Sequence, residues 1–104
     1  MKEIQRETEK IIKEFQKIEK RPWTPEVIML DLMEEVGELA NAILVKEEYK
    51  SVKREISGLR DSIADVLYAL VRLANFYKIN IKDEYMKMLK ELRNRIDKGE
   101  FVDD

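Results

Sequence analysis

The sequence predicts an all-α protein, and three observations carry that prediction. Glycine and proline are scarce, at three and two residues in 104, which is unlike a turn-rich β protein. Apolar residues recur near the helical period of about 3.6 residues, and polar breaks separate four such stretches. We therefore expect residues 1–104 to form a single domain resembling a four-helix bundle, completed by oligomerisation because so short a chain leaves much surface uncovered.

The first two helices are predicted on either side of a proline-containing loop. The first covers about residues 2–20 and has one apolar stripe. Thr24 followed by Pro25 is typical of a helix start, with a capping hydroxyl and a proline at the first helical position. Residues 27–45 are apolar on nearly all sides, which predicts a central buried helix.

The second half of the chain contains two more predicted helices. Residues 46–57 are strongly charged, and we interpret them as a connecting segment. The third helix is expected at about residues 59–77, where Asp65 interrupts the most apolar run of the chain. A turn at residues 80–83 leads into the fourth helix, which ends at Gly99.

Composition excludes several classes of function. The net charge is -2 with both signs interleaved, so nothing indicates binding to nucleic acid or to an anionic membrane. No apolar run is long enough to span a bilayer, and no apolar leader is present, so we expect a cytoplasmic protein. The chain has no cysteine and no histidine, which leaves carboxylates, Lys, Arg, Tyr or a metal for any catalysis.

Carboxylates form a cluster on one face of the second predicted helix. Glu34 and Glu38 project about 40° apart, Glu35 and Glu38 about 60° apart, and Asp31 follows the same stripe. Asp65 lies in an apolar run of the third helix, where an unpaired carboxylate is costly unless a cation compensates it. We therefore predict that these acids meet inside the bundle and bind a metal.

Oxygen ligands without histidine suit Mg²⁺, with Mn²⁺ as the alternative, and they disfavour zinc or a di-iron centre. Two other interpretations remain open. The acids of the second helix could be a solvated face with lysine partners. Asp65 could instead form a buried salt bridge with Arg72 or with a lysine of another helix.

Two segments, MEEVGELA from Met33 and IADVLY from Ile63, resemble the MazG-like nucleoside triphosphate pyrophosphohydrolases, and the resemblance spans roughly residues 23–95. That family belongs to the all-α NTP pyrophosphatases. It is marked by E-E-x-x-E on one helix and E-x-x-D on the next. The first motif is matched fully, at Glu34, Glu35 and Glu38.

The second motif is matched only at Asp65, because Ser62 stands where the family carries Glu. Asp61 lies on nearly the same helical face and is the expected substitute. The resemblance thus implies Mg²⁺ held by four carboxylates, those of Glu35, Glu38, Asp61 and Asp65. It also implies attack of water on the α-phosphorus of a nucleotide, with Glu34 taking the proton, and release of a monophosphate and pyrophosphate in nucleotide-pool house-cleaning.

The resemblance also indicates substrate-binding residues. Trp23 resembles the aromatic residue that contacts the base, although it could equally plug one end of the bundle. Arg72 could offset charge on the leaving pyrophosphate. Lys87 resembles the lysine of a Lys-Met pair in the family, and Arg95 is a further phosphate candidate; either could be an ordinary solvated charge.

A homodimer or homotetramer is the expected assembly, and a nucleotide is the expected small-molecule partner. Two rival functions stay open. One is a phosphoribosyl-ATP pyrophosphohydrolase, which has a similar acidic motif. The other is a non-catalytic helical interaction module with a degenerate metal site, which Ser62 keeps possible.

Overall fold

A computed structural model describes residues 1–51 and 58–102, and in that part of the chain it contains α-helices and no strand. The predicted all-α class and its four helices are confirmed. None of the described helices is both long and apolar enough to cross a membrane. The helices are α1 (Lys2–Gln16), α2 (Pro25–Lys46), α3 (Leu59–Phe76) and α4 (Ile81–Asp97).

Local capping chemistry sets several of the helix ends. The Thr24 hydroxyl accepts a hydrogen bond of 3.3 Å from the Val27 N–H, as expected for the start of α2. The Asn80 side chain caps α4 by accepting from the Asp83 N–H at 3.1 Å. Gly99, with φ of 75°, follows α4 in the left-handed conformation that ends many helices.

Two predicted boundaries differ from the observed ones. Helix α1 ends at Gln16, several residues before the predicted end, because the N–H groups of Ile18 and Glu19 both bond to the Phe15 carbonyl in a tight turn. The connecting segment was expected from residue 46, but Lys46 is the last residue of α2. The remainder of that predicted segment includes residues 52–57, which lie outside the described part.

Packing is centred on α3. Helix α2 packs along α3, and α1 packs on α3 as well. The completely or nearly completely buried apolar side chains come from these three helices: Ile12, Ile28, Ala42, Ala69 and Val71. Helix α4 contributes no buried side chain. Its first turn is tied to α1 by the Gln5 side chain, whose Oε1 accepts from the Ile81 N–H at 2.9 Å.

The prediction that α2 is buried on nearly all sides is wrong for the single chain. Only Ile28 and Ala42 of this helix are buried, whereas Leu30 and Met33 are 66% and 61% exposed. A helix that is apolar all round needs neighbours on every side, and within the described residues α3 is its main neighbour. The opposite face of α2 therefore remains uncovered.

Candidate metal and nucleotide site

Three acids from two helices meet at the contact between α2 and α3. Glu35 and Glu38 lie one turn apart on α2, and Asp65 lies in the middle of α3. One carboxylate oxygen from each lies within 4.8 Å of the others. Glu35 and Asp65 are partly buried and Glu38 is exposed, so the group is open on one side. We refer to these three residues as the carboxylate group.

The electrostatics of the carboxylate group centre on Glu35. Burial, together with the negative charges of Glu38, Asp65 and Asp31, raises the pKa of the Glu35 carboxyl to about 7. The Glu35 Oε2 atom is buried and has no hydrogen-bond partner. Three like charges held this close are unfavourable without a cation, so the arrangement is suited to bind one.

Asp31 extends the acidic face by one helical turn. Burial raises the pKa of its carboxyl. The positive charge of Arg72 lowers the pKa, while Glu38 and Asp65 raise it. The pKa of Asp31 therefore depends both on the carboxylate group and on the guanidinium of Arg72.

A cavity of about 240 Å³ is lined both by residues of the carboxylate group and by Arg72. Its lining includes the acids Asp31, Glu35 and Asp65, and it also includes Trp23, Tyr68 and Arg72. Phe15 and Glu19 complete its walls. The cavity therefore connects candidate metal ligands to flat aromatic side chains, an arrangement suited to a small molecule with an anionic end and a planar end.

Arg72 has a partner that the sequence did not indicate. Its buried guanidinium donates from Nη2 to Glu19 Oε1 at 2.7 Å, and both side chains are at least nine-tenths buried. The guanidinium carbon also lies 4.3 Å from the centroid of the Trp23 ring. The salt bridge suggested between Asp65 and Arg72 is not formed, and Asp65 has no ion pair among residues 1–51 and 58–102.

Like Tyr68, Glu19 is a cavity residue that sequence reasoning did not assign to the site. It follows the end of α1 and precedes the proline-containing loop, in a stretch of alternating charges where nothing distinguishes it from Glu14 or Lys20. Its importance comes from a contact across 53 residues of sequence with Arg72. The one available signal was the presence of Arg72 in an apolar helix, which calls for an acid partner somewhere in the chain.

The other predicted site residues are placed outside the carboxylate group. Glu34 and Asp61 are exposed on α2 and α3. Ser62, at the position where a family Glu was expected, is fully buried and its hydroxyl has no hydrogen-bond partner. Lys87 and Arg95 are exposed on α4 and do not border the cavity. Arg95 instead donates from Nε to a carboxylate oxygen of Glu100 at 3.0 Å.

Comparison with known proteins gives a consistent result. The family model of the MazG nucleotide pyrophosphohydrolase domain matches residues 23–99. The uncharacterised protein YpjD of Bacillus subtilis is 30% identical over 97 residues, covering 91% of this chain and 85% of its own. A crystal structure of YpjD, which is described as a suspected pyrophosphatase, is similar to this chain with a TM-score of 0.74 and 29% sequence identity. The similarity covers 91% of this chain and 94% of the YpjD chain.

Proposed function

Because the chain belongs to the MazG nucleotide pyrophosphohydrolase family, we propose that it is a Mg²⁺-dependent enzyme converting a nucleoside or deoxynucleoside triphosphate, or a related nucleotide, to the monophosphate and pyrophosphate. The observation that carries the proposal is the carboxylate group, whose Glu35 and Asp65 also border the cavity containing Trp23. We assign the activity to removal of unwanted nucleotides from the cytoplasmic pool.

The donor set of the carboxylate group fits a hard divalent cation. Its three carboxylate oxygens lie within 4.8 Å of one another, and the buried Oε2 of Glu35 lacks a partner. The chain contains neither histidine nor cysteine, so Mg²⁺ and Mn²⁺ fit better than zinc. When bound, such an ion supplies positive charge to phosphate oxygens and makes a water molecule more acidic.

The remaining roles fall to side chains of the chain itself. Water attacks the α-phosphorus, the bond from that phosphorus to the bridging oxygen breaks, and pyrophosphate leaves with the electron pair. Glu34, exposed beside Glu35 on α2, takes the proton of the water. Arg72 is neutralised by Glu19 and Arg95 is paired with Glu100, so we assign to Lys87 the role of offsetting charge on the leaving group.

A product assay tests the proposal. The purified protein is incubated with Mg²⁺ and a panel of NTPs, dNTPs and phosphoribosyl-ATP, and the products are resolved by anion-exchange chromatography. We expect a monophosphate and pyrophosphate in equal amounts from at least one substrate, and none in EDTA. Turnover of phosphoribosyl-ATP alone would identify the rival pyrophosphohydrolase, and absence of products across the panel would refute the enzymatic proposal.

Ser62 is the observation that favours a non-catalytic interaction module. It removes one carboxylate that the family motif carries, and its full burial leaves no room for water or metal beside it. Titration of Mg²⁺ against the metal-free protein by calorimetry separates the two cases. We expect an enzyme to bind Mg²⁺ with an affinity that rises when nucleotide is present. A module with a degenerate site is expected to bind neither Mg²⁺ nor nucleotide.

We also propose that copies of this chain associate through the uncovered apolar surfaces. Leu30 and Met33 of α2 are more than half exposed, as are Tyr85 and Met86 of α4, and α4 buries nothing. The radius of gyration is 17.5 Å, whereas a compact chain of this length is expected near 13 Å. Exposed apolar surface of this extent is typical of an interface, and a second copy offers the complementary apolar faces.

Light scattering after gel filtration tests the association. We expect the mass of a dimer or tetramer, and we expect Met33→Glu, which puts a charge on the uncovered face of α2, to reduce that mass. Lys13→Glu changes the charge of an exposed residue on α1, outside this face of α2, and serves as the control. A monomeric wild-type protein at micromolar concentration would refute the proposal.

A further inference from the structure

Three of the buried polar atoms without a hydrogen-bond partner belong to residues that border the 240 Å³ cavity. They are Glu19 Oε2, Glu35 Oε2 and Tyr68 Oη. Buried polar atoms in folded proteins are nearly always hydrogen-bonded, so a cluster of unpartnered ones around one cavity is suited to bind a polar ligand. The bound cation proposed above accounts for Glu35, but it does not account for Glu19 and Tyr68.

Glu19 presents a fixed hydrogen-bond acceptor. Its side chain is 9% exposed, and its Oε1 is held by Arg72 at 2.7 Å. Arg72 is itself fixed by its contact with the Trp23 ring at 4.3 Å. The carboxylate therefore cannot turn freely, and its second oxygen, which can only accept hydrogen bonds, has no donor among the described residues.

Tyr68 presents a hydroxyl that can donate. Burial raises the pKa of this phenol, Arg72 lowers it, and the negative charges of Glu19 and Asp31 raise it again. The net direction is upward, so the hydroxyl keeps its proton at neutral pH. Tyr68 lies one helical turn before Arg72 on α3, and Arg72 is bonded to Glu19. An unpartnered acceptor and an unpartnered donor therefore border the same cavity.

Trp23, one face of which is covered by the Arg72 guanidinium, adds a flat aromatic ring to the lining of the cavity. Its ring borders the cavity together with Glu19 and Tyr68. Indole rings bind planar heterocycles by stacking, without regard to the identity of the heterocycle. The choice between heterocycles therefore falls to the polar atoms at the edge of the ring, which are those of Glu19 and Tyr68.

We propose that the part of the cavity lined by Glu19, Trp23 and Tyr68 binds a nucleobase that carries an exocyclic amine beside an unprotonated ring nitrogen on its Watson–Crick edge, as cytosine and adenine do. Glu19 accepts a hydrogen bond from the amine, and the Tyr68 hydroxyl donates one to the ring nitrogen. Uracil, thymine and hypoxanthine carry a carbonyl oxygen in place of the amine and an N–H in place of the bare nitrogen. Against those bases, the Glu19 carboxylate faces a carbonyl oxygen, which it repels.

The inference rests on the proposed function for the identity of the ligand as a nucleotide, but it is tested without turnover. Trp23 is the only tryptophan of the chain, so its fluorescence reports stacking in the cavity. Free nucleosides carry no phosphate, and their binding in EDTA is independent of the cation. Cytidine with uridine, and adenosine with inosine, form two matched pairs that differ only by exchange of amine for carbonyl.

We expect the amine-bearing member of each pair to quench Trp23 at a concentration about tenfold lower than its oxo counterpart, as leaving a buried carboxylate oxygen unpaired implies. Glu19→Gln brings the two members to within about twofold, because an amide can turn either its N–H₂ or its carbonyl toward the base. Tyr68→Phe removes a hydroxyl that has no partner, so the fold tolerates it, and we expect it to weaken binding of cytidine more than of uridine.

Equal affinity within both pairs, or tighter binding of uridine and inosine, would overturn the proposal. So would a preference that survives in both Glu19→Gln and Tyr68→Phe, and so would the absence of quenching by any nucleoside. The thermal melt of Glu19→Gln checks its folding, and Tyr68→Phe decides the matter if that variant is unfolded. Hydrolysis of triphosphates without base preference refutes this inference alone, whereas nucleoside preference without hydrolysis refutes the enzymatic proposal alone.

Discussion

Replacement of Glu35 by Gln is expected to stabilise the metal-free protein at alkaline pH. Burial and the neighbouring charges of Glu38 and Asp65 raise the pKa of the Glu35 carboxyl from an ordinary value of 4.5 to about 7. Since the folded state holds this proton more tightly than the unfolded state, the stability associated with Glu35 is present below about pH 4.5 and is lost as the pH rises through about 7. A neutral amide at this position has no proton to lose, so its contribution to stability does not fall as the pH rises.

The size of the effect follows from the shift. A rise from 4.5 to about 7 corresponds to roughly 3 kcal/mol at full weight. The group is partly open to solvent, which screens the repulsion, so we expect about 1–2 kcal/mol in practice. For a domain of this size, each kcal/mol raises Tm by about 4–8 °C.

Thermal unfolding in EDTA at pH 5 and pH 8 measures this difference. We expect Glu35→Gln to raise Tm over wild type at pH 8 and to have a much smaller effect at pH 5. Glu34→Gln is the matched control, because Glu34 is the adjacent residue on α2, exposed and outside the carboxylate group. Equal effects of Glu35→Gln at the two pH values, or the same pH dependence in Glu34→Gln, would refute the reasoning.

Addition of Mg²⁺ at pH 8 provides an independent check on the same reasoning. A cation bound by the folded state alone raises the wild-type Tm with increasing concentration. We expect a much smaller rise in Glu35→Gln, since the amide is a weaker ligand and the repulsion that the cation relieves is already reduced. A variant that responds to Mg²⁺ as strongly as wild type would place the ion elsewhere.

Three further predictions concern Asp65, Arg72 and Gln5. Asp65→Asn is expected to abolish turnover in the product assay while leaving the metal-free Tm unchanged or higher, and marked unfolding would point to a structural role. Arg72→Met leaves the buried Glu19 carboxylate unpaired and should destabilise the protein by about 3–5 kcal/mol, measured by urea unfolding. We expect the second substitution Glu19→Leu to recover most of this loss, and losses that simply add would contradict a coupled pair. Gln5→Leu removes side-chain hydrogen bonds to Asn75, to the Ile79 carbonyl and to the Ile81 N–H. We expect the free energy of unfolding to fall by about 1–3 kcal/mol and amide exchange at Ile81 to become faster. Unchanged exchange at Ile81 would show that other contacts hold the start of α4.

The parts of the fold that could be predicted are those governed by neighbours in sequence. The start of α2 at Thr24 and Pro25 depends on a cap within three residues, and the glycine after α4 on its own backbone preference. The end of α1 was missed because Ile18 continued the apolar stripe, yet it is 76% exposed. The chain turns away there and brings Glu19 to Arg72, a contact that no local pattern encodes.

The candidate site likewise has a part that follows from local sequence patterns and a part that depends on the packing of distant segments. The spacing of Glu35 and Glu38 on one helix follows from helical geometry, and the apolar surroundings of Asp65 indicated a partner across the α2–α3 contact. Trp23 and Arg72 were indicated by the family resemblance, but the roles of Glu19 and Tyr68 could not be predicted, because the two residues come from separate parts of the chain. Glu19 precedes α2 and Tyr68 lies on α3, and only the packing of these segments places both at one cavity.

Ser62 explains why the carboxylate group is uneven between the two helices. The residue is fully buried, so a longer carboxylate at this position would have to displace packed neighbours. Helix α3 consequently contributes Asp65 alone to the group, against two residues from α2. Mg²⁺ prefers near-octahedral coordination, and three protein oxygens leave positions for water and for substrate phosphates. We expect a site built in this way to bind the free ion weakly and to gain affinity when a nucleotide supplies further oxygens, so that metal and substrate bind with positive coupling.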